Sequence, residues 1–212
     1  MKIAIIGSGN VGKALAGSAT KAGHEVTMAA SDPAHADEAA KQTGAKAADS
    51  SAAAVKDADL VVLAVPANKV DDVVMSLAND LDGKVIVDVT NRIDMSDPAK
   101  NIDGTSASEQ IQSKAPKARV VKAFNYAFAS RMANPVADET NLDAYVAGDD
   151  DEAKNKVSEF ARSIGFRPID AGPLGMARAL EGMGALIVFL QVKHKWPWQS
   201  GWKMIGPTGE QR

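Results

Sequence analysis

The chain opens on Lys2-Ile3-Ala4-Ile5-Ile6, an apolar run of strand length, after which Val11, Ala14, Leu15 and Ala19 recur at helical spacing. The same alternation continues along the chain. Runs rich in Val, Ile and Leu predict strands at Lys2–Ile6, Glu25–Ala29, Leu60–Val65, Lys84–Val89, Val120–Phe124, Ala144–Ala147 and Arg167–Asp170, with a short one near Lys46–Ala48. Amphipathic stretches predict helices over Asn10–Ala22, Pro33–Thr43, Ser51–Asp57, Lys69–Ala78, Ala107–Lys114, Asp151–Ser163 and from about Gly175 to Lys193. Ser106-Ala107-Ser108-Glu109 has the form of a capping box. Strands that alternate with helices, several of them continuously apolar, predict an α/β fold with a Rossmann-like, doubly wound, mainly parallel sheet covered on both faces. One domain over 1–212 is expected, with a core over 1–149. A small C-terminal extension over 150–212 would include the long helix. The Trp-, Gly- and Pro-rich stretch from Trp196 to Arg212 reads as an irregular tail.

The loop after the first strand carries candidate chemistry. Gly7-Ser8-Gly9-Asn10-Val11-Gly12 stands between a strand and a helix, which makes it a dinucleotide-binding fingerprint. Gly7 would form the tight turn, Gly9 would let the backbone approach a pyrophosphate, and Gly12 would let helix and strand pack closely. The free N–H groups of the helix start would face the phosphate charge. Asp32 lies about 20 residues beyond Gly12, where an acidic side chain reads the ribose hydroxyls of NAD. Asp32-Pro33 is equally a helix N-cap followed by proline at the first helical position, and both roles stay open. No Arg or Lys occurs between Lys21 and Lys41, so a 2′-phosphate would rely on Ser31, His35 and backbone donors. Val65 and Pro66 end one predicted strand and Asn91 follows another, which places all three beside a ligand at the carboxyl ends of the sheet. For Asn91 an Asx turn is the competing reading.

Charge and composition remove other functions. A net charge of −3 offers no basic field for nucleic acid. The absence of cysteine excludes disulfides, Fe–S clusters and thiol catalysis, and fits a cytoplasmic location. The first twelve residues read as a strand and a ligand loop, not as a signal peptide. The longest uncharged apolar stretch, Gly182 to Val192, is shorter than the about 20 residues of a membrane span. No membrane or nucleic-acid partner is therefore expected. The three histidines, His24, His35 and His194, lack metal-ligand spacing, so no metal is expected either.

The second half is more specific. Val120-Val121-Lys122-Ala123-Phe124-Asn125, Val146-Ala147-Gly148-Asp149-Asp150-Asp151-Glu152 and Arg167-Pro168-Ile169-Asp170-Ala171-Gly172-Pro173-Leu174 form a series. Together with the opening Gly7 to Lys13, the series resembles the coenzyme F420-dependent NADP oxidoreductase family over nearly the whole chain. The pattern is also similar to the cytoplasmic reductase domain of the six-transmembrane ferric reductases. The resemblance implies hydride transfer between NADP(H) and a flavin or deazaflavin acceptor. It implies that Gly7 to Gly12 hold the pyrophosphate and that Ser31 meets the 2′-phosphate. Val65, Pro66 and Asn91 would border the nicotinamide side. Ala171, Gly172, Pro173 and Leu174 would lie against the nicotinamide, with backbone groups reading its carboxamide. The chain departs from the family at Asp32 and Pro33, where basic residues are usual, and at Arg92, where proline is frequent. NADP(H) is favoured slightly over NAD(H).

Hydride transfer between stacked rings needs distance and orientation more than acid–base groups, so no catalytic side chain is named. Arg178 and Glu181 are expected to pair at i,i+3, with a polar patch at the acceptor pocket as the sharper alternative. Trp196, Trp198 and Trp202 suit either an aromatic wall for a flat acceptor or plain packing. The reading is an NAD(P)H-dependent oxidoreductase with a small-molecule redox acceptor, a flavin or deazaflavin reductase, with a homodimer kept open. A redox-sensing nucleotide-binding module is one alternative. A reductase of a small carbonyl or imine substrate is the other, but about 60 residues after Asp149 are few for the helical domain it would need.

Overall fold

The computed structural model of the chain describes residues 1–96 and 104–206. Its strands are β1 (Lys2–Ile6), β2 (Glu25–Ala29), β3 (Lys46–Ala47), β4 (Leu60–Leu63), β5 (Val85–Asp88), β6 (Arg119–Lys122), β7 (Val136–Ala137), β8 (Thr140–Asn141), β9 (Asp143–Gly148) and β10 (Arg167–Gly172). Its helices are α1 (Asn10–Lys21), α2 (Pro33–Thr43), α3 (Ser51–Val55), α4 (Val70–Ser76), α5 (Ala107–Lys114), α6 (Ala129–Ala133), α7 (Asp151–Ser163) and α8 (Ala177–His194). Eight strands form one sheet in the order β10-β9-β6-β5-β4-β1-β2-β3, and β7 pairs with β8 in a separate hairpin. The expected strands and helices all appear, with ends moved by a few residues. The α6 turn and the hairpin were not foreseen.

Strand alternation assigns the two faces. Ile3 and Ile5 join Leu15, Ala16 and Ala19 of α1 and Val157 and Phe160 of α7 in one core. Ala4 and Ile6 join Val55 of α3, Val70 and Val74 of α4 and Ile111 of α5 in the other. Both faces are buried, as the apolar runs require. Helices α2, α3 and α7 start where a short polar side chain accepts a free N–H group: Asp32 at α2, Ser50 at α3 and Asp150 at α7. At α5 the capping box forms, with Ser106 and Glu109 exchanging hydrogen bonds.

One pairing departs from the parallel pattern. From β6 the chain returns through α6 and the hairpin, without a full crossover helix, so β9 lies antiparallel to β6. Strand β10 pairs parallel with β9 and closes the sheet as an edge. Helix α8 then packs Leu180 and Ile187 onto Tyr126, Tyr145 and Ala147. The helical stretch Leu174–His194 is long and apolar enough to cross a membrane by length and composition alone: an 18-residue window in it has mean hydropathy 1.3, and 28% of that window is buried. The stretch extends beyond the uncharged Gly182–Val192 run and includes Arg178 and Glu181, both of them in ion pairs.

The tail is irregular, as expected, but anchored. The Ser130 hydroxyl donates to the Trp198 carbonyl (2.7 Å), and the Met204 N–H donates to Asp143 Oδ2 (2.6 Å). Arg167 grips the same Asp143 carboxylate at 2.6 and 2.8 Å. Burial raises the Asp143 carboxyl, but these donors outweigh it and hold the group below its ordinary value. The rest of the predicted tail, 207–212, lies outside the described residues.

Candidate active site

The glycine loop has the geometry its sequence implies. Gly7 lies at φ +123°, and a Cβ there would overlap the Ala64 carbonyl. A Cβ at Gly12 would overlap the carbonyl of Gly7. Gly9 is different, because its Cβ would meet no atom within 4 Å. Gly9 is also the N-cap of α1, with no side-chain cap and no acidic residue in the first turn. The loop thus leaves free N–H groups facing open space, which suits an anion.

That space is a cleft of about 990 Å³ over the carboxyl ends of the central strands. Gly7, Ser8, Gly9, Asn10, Val11, Ser31, Val65, Pro66 and Asn91 line it, in line with their expected positions. Gly12 lies buried beneath the loop and shapes it without lining the cleft. Ser51 joins Ser31 at one end. Val89, Asn125, Ala127, Phe128, Met132 and Val188 of α8 line the other end and make it mostly apolar.

Asp32 does not line the cleft. Its Oδ1 accepts from Ala34 N–H at 2.9 Å, and its Oδ2 lies 3.7 Å from His35 Nδ1. The capping role is the one seen, since a carboxylate two residues from a free helix N–H closes that bond locally.

Ala171, Gly172, Pro173 and Leu174 are a correction. Gly172 is in register with Ala147 of β9, and Ala147 with Lys122 of β6, so it sits level with the rim of the sheet but on the edge strand. Strands β9 and β6 separate it from β5, a distance of about 14 Å at ordinary strand spacing. Leu174 then turns into the core on the α4–α5 face. None of the four lines the cleft. The antiparallel insertion of β9, which local spacing does not reveal, moves them away.

Asn91 lines the cleft with its amide already engaged. Its Nδ2 donates to the Asn125 carbonyl, and its Oδ1 accepts from Asn125 Nδ2 (2.8 Å). Asn125 Nδ2 also donates to the Leu180 carbonyl of α8 at 2.8 Å. The Asx turn forms instead at Asp88, whose Oδ1 accepts from Thr90 N–H (2.9 Å) and hydroxyl (2.7 Å). Asn125 Oδ1 is left buried with no partner. Sequence reading missed Asn125; its place just after an apolar strand was the available signal.

Below the asparagines lies a buried ionic cluster that sequence reading also missed. Lys122 Nζ, fully buried, donates to Asp88 Oδ2 (2.9 Å), Glu181 Oε1 (2.8 Å) and the Thr90 carbonyl (2.6 Å). Ser108 donates to Asp88 at 2.6 Å, and the Ala107 N–H at the start of α5 donates to Glu181 at 2.9 Å. Burial raises the Asp88 carboxyl, but Lys122, Ser108 and Thr90 outweigh it and hold the group below its ordinary value. Glu181 therefore does not pair with Arg178. Arg178 reaches across to Glu109 at 2.7 and 2.9 Å and draws its carboxyl down to about 2. The cluster joins α8 to the ends of β5 and β6, which sets Val188 at the cleft.

None of the tryptophans lines the cleft. Trp198 packs edge-on against Phe128, with ring centroids 5.2 Å apart, and so acts through packing. His24 packs on Phe160 and bonds Ser163, while His194 stacks on Trp196. Arg92 is held by Asp71 and Gln110.

A dinucleotide fits this site on two observations: the open cradle at Gly9, and a buried acceptor without a partner at the far end. Gly7 to Val11 would hold the pyrophosphate, Ser31 and Ser51 stand at the ribose end, and the apolar end would receive the nicotinamide.

Known proteins support the same reading. The family profile described as NADP oxidoreductase, coenzyme F420-dependent, matches residues 2–92. The F420-dependent NADP reductase of Methanothermobacter marburgensis is 30% identical over 213 residues, covering 92% of this chain and 94% of that one. The metalloreductase STEAP3 of Rattus norvegicus is 39% identical over 109 residues, which is 51% of this chain and 21% of that one. The chain thus spans about a fifth of that metalloreductase. A crystal structure of a putative F420-dependent NADP reductase from Arthrobacter sp. FB24 superposes with a TM-score of 0.85, at 29% identity over 97% of this chain and all of that one. With a glycine cradle of this geometry and similarity along nearly its whole length, the chain belongs to the coenzyme F420-dependent NADP oxidoreductase family.

Proposed function

We propose that this protein is an NAD(P)H-dependent oxidoreductase that passes hydride between a nicotinamide and a flavin or deazaflavin acceptor of the F420 type, with NADP(H) favoured slightly. The observation that carries the proposal is the cleft itself, which runs without interruption from the glycine cradle to the apolar end beside Val188. The nicotinamide, when bound, supplies the hydride. The helix start at Gly9 and Asn10 binds the pyrophosphate and so sets the depth of the ring. Val65 and Pro66 on one side and Ala127, Phe128 and Met132 on the other hold a flat ring and exclude water. No acid–base pair is required of the chain. Lys69 and Asp72 are the charged residues that line the cleft, and Lys122 and Asp88 are buried outside its lining and locked to one another.

For the cofactor, Ser31 faces the cleft while the Asp32 carboxylate is tied to its own helix. That arrangement supports a place for a 2′-phosphate, in keeping with the names of the reductase relatives. The test is NADPH and NADH oxidation with a deazaflavin, FMN, FAD and a ferric chelate as acceptors. Turnover fastest with NADPH and the deazaflavin or a flavin is the expected result. Tight NADPH binding with no turnover on any acceptor would overturn the enzyme reading in favour of a redox-sensing module.

A further inference from the structure

We infer that Asn125 reads the nicotinamide carboxamide, its side-chain Oδ1 accepting a hydrogen bond from the carboxamide NH₂. The inference rests on the dinucleotide reading of the cleft and names a residue outside the glycine fingerprint. Asn125 lines the cleft yet is only 5% exposed. Both hydrogens of its Nδ2 are engaged, one by Asn91 Oδ1 and one by the Leu180 carbonyl, each at 2.8 Å. Those two acceptors fix which end of the amide is which, because the flipped amide would set Oδ1 against two oxygens. Oδ1 is then a buried acceptor without a donor. Such groups are rare in folded proteins and costly, and one in the wall of a ligand cleft calls for a donor from the ligand.

The surroundings hold this amide in place from three sides. Phe124 lies at φ +62°, a left-handed conformation uncommon for a bulky residue, with its ring buried against Phe160 and Phe166. That reversal follows directly on β6 and turns Asn125 toward Asn91. Asn91 Nδ2 holds the Asn125 carbonyl. Helix α8 can approach because residue 184 is glycine, where a Cβ would lie 2.6 Å from Asn91 Oδ1 and 3.0 Å from Asn125 Nδ2. The ligand group this suits is a planar NH₂ donor. The adenine amine is the other such group on a dinucleotide, but Asn125 belongs to the end of the cleft with Val89 and Val188, away from Ser31 and Ser51.

The experiment compares the dissociation constants of NADP⁺ and NAD⁺ with those of their 3-acetylpyridine analogues, in which a methyl group replaces the carboxamide NH₂. Binding of 2′,5′-ADP, which has no nicotinamide, is measured alongside, for the wild-type protein and for Asn125→Ala. The wild type is expected to bind the analogues about tenfold more weakly, the usual effect of losing one hydrogen bond to a buried acceptor. In Asn125→Ala that ratio falls to near one while 2′,5′-ADP binds as before. Equal affinity for carboxamide and acetyl forms in the wild type, or the same ratio in both proteins, overturns the inference and leaves the dinucleotide reading standing. Failure of the wild type to bind any of these ligands removes both. If Asn125→Ala loses 2′,5′-ADP binding through misfolding, Asn125→Leu, close in volume and without an acceptor, takes its place with the same expected ratio near one.

Discussion

Lys122→Met tests the ionic cluster beneath the cleft. The substitution keeps side-chain length and apolar volume but removes the ammonium that joins Asp88, Glu181 and the Thr90 carbonyl. Two carboxylates, one fully buried and one with 12% of its side chain exposed, then lose their cation. Breaking a buried pair from one side costs about 3–5 kcal/mol, because the remaining charge stays desolvated. Against a total stability of about 5–15 kcal/mol that is a large fraction, and it corresponds to a fall of about 6–20 °C in Tm for a chain of this size. The pH dependence carries the sharper test. In the wild type the Asp88 carboxyl is held below its ordinary value of 3.8, so its contribution is present above that value and is lost as pH falls through the folded one. In the variant, burial acts with no ammonium against it and raises the carboxyl. The folded state then binds the proton more readily than the unfolded chain, and stability declines as pH rises through that window. The gap between wild type and variant should therefore widen from near pH 4 to near pH 7 in urea unfolding. Adding Glu181→Gln to the variant should recover part of the loss by removing the second unpaired charge. A gap below about 1 kcal/mol, well short of the cost of a broken buried pair, or one of equal size at both pH values, would refute the account.

Three further outcomes are expected. Gly9→Val should lower Tm by only about 2–4 °C, the effect of a poorer N-cap of about 1 kcal/mol. Its valine would occupy the cradle, displacing at least two charge-assisted bonds of about 1.5–3 kcal/mol each and weakening NADPH binding more than about a hundredfold; retained micromolar affinity would sink the fingerprint. Asp32→Arg removes a cap and brings a cation beside Ser31, so the preference for NADPH over NADH in direct binding should rise about tenfold, the worth of one charge-assisted bond. An unchanged ratio would mean that residue 32 does not face the adenosine ribose. Arg178→Ala frees Glu109, whose carboxyl is held at about 2. The stability from this pair is present above the ordinary carboxyl value and is lost as pH falls toward 2, so in the variant the loss begins at higher pH. An acid-unfolding midpoint followed by circular dichroism should move upward, and no movement would show that the exposed pair contributes nothing.

The elements and the phosphate loop were legible from residue order alone. Apolar periodicity places a strand or helix because burial acts on neighbours two, three or four residues apart. The caps at Asp32, Ser50, Ser106 and Asp150 close bonds within three residues. Gly7 and Gly12 are demanded by atoms that the strand–turn–helix unit and the adjacent strand bring against them, and that unit folds the same way wherever it occurs. The remaining features depend on partners far apart in the chain. The antiparallel insertion of β9 places Gly172 on the edge of the sheet, outside the lining of the cleft it was expected to border. Asn91 and Asn125 are 34 residues apart, and which amide is engaged and which keeps a free acceptor follows from the passage of α8 at Gly184. Glu181 chooses Lys122 over Arg178, three residues away, because an ammonium sealed beneath the helix needs its carboxylate while an exposed arginine can be satisfied by Glu109 or by water. Local spacing carries backbone sterics and capping; desolvation and chain crossing, which settle these choices, exist only once the sheet is assembled.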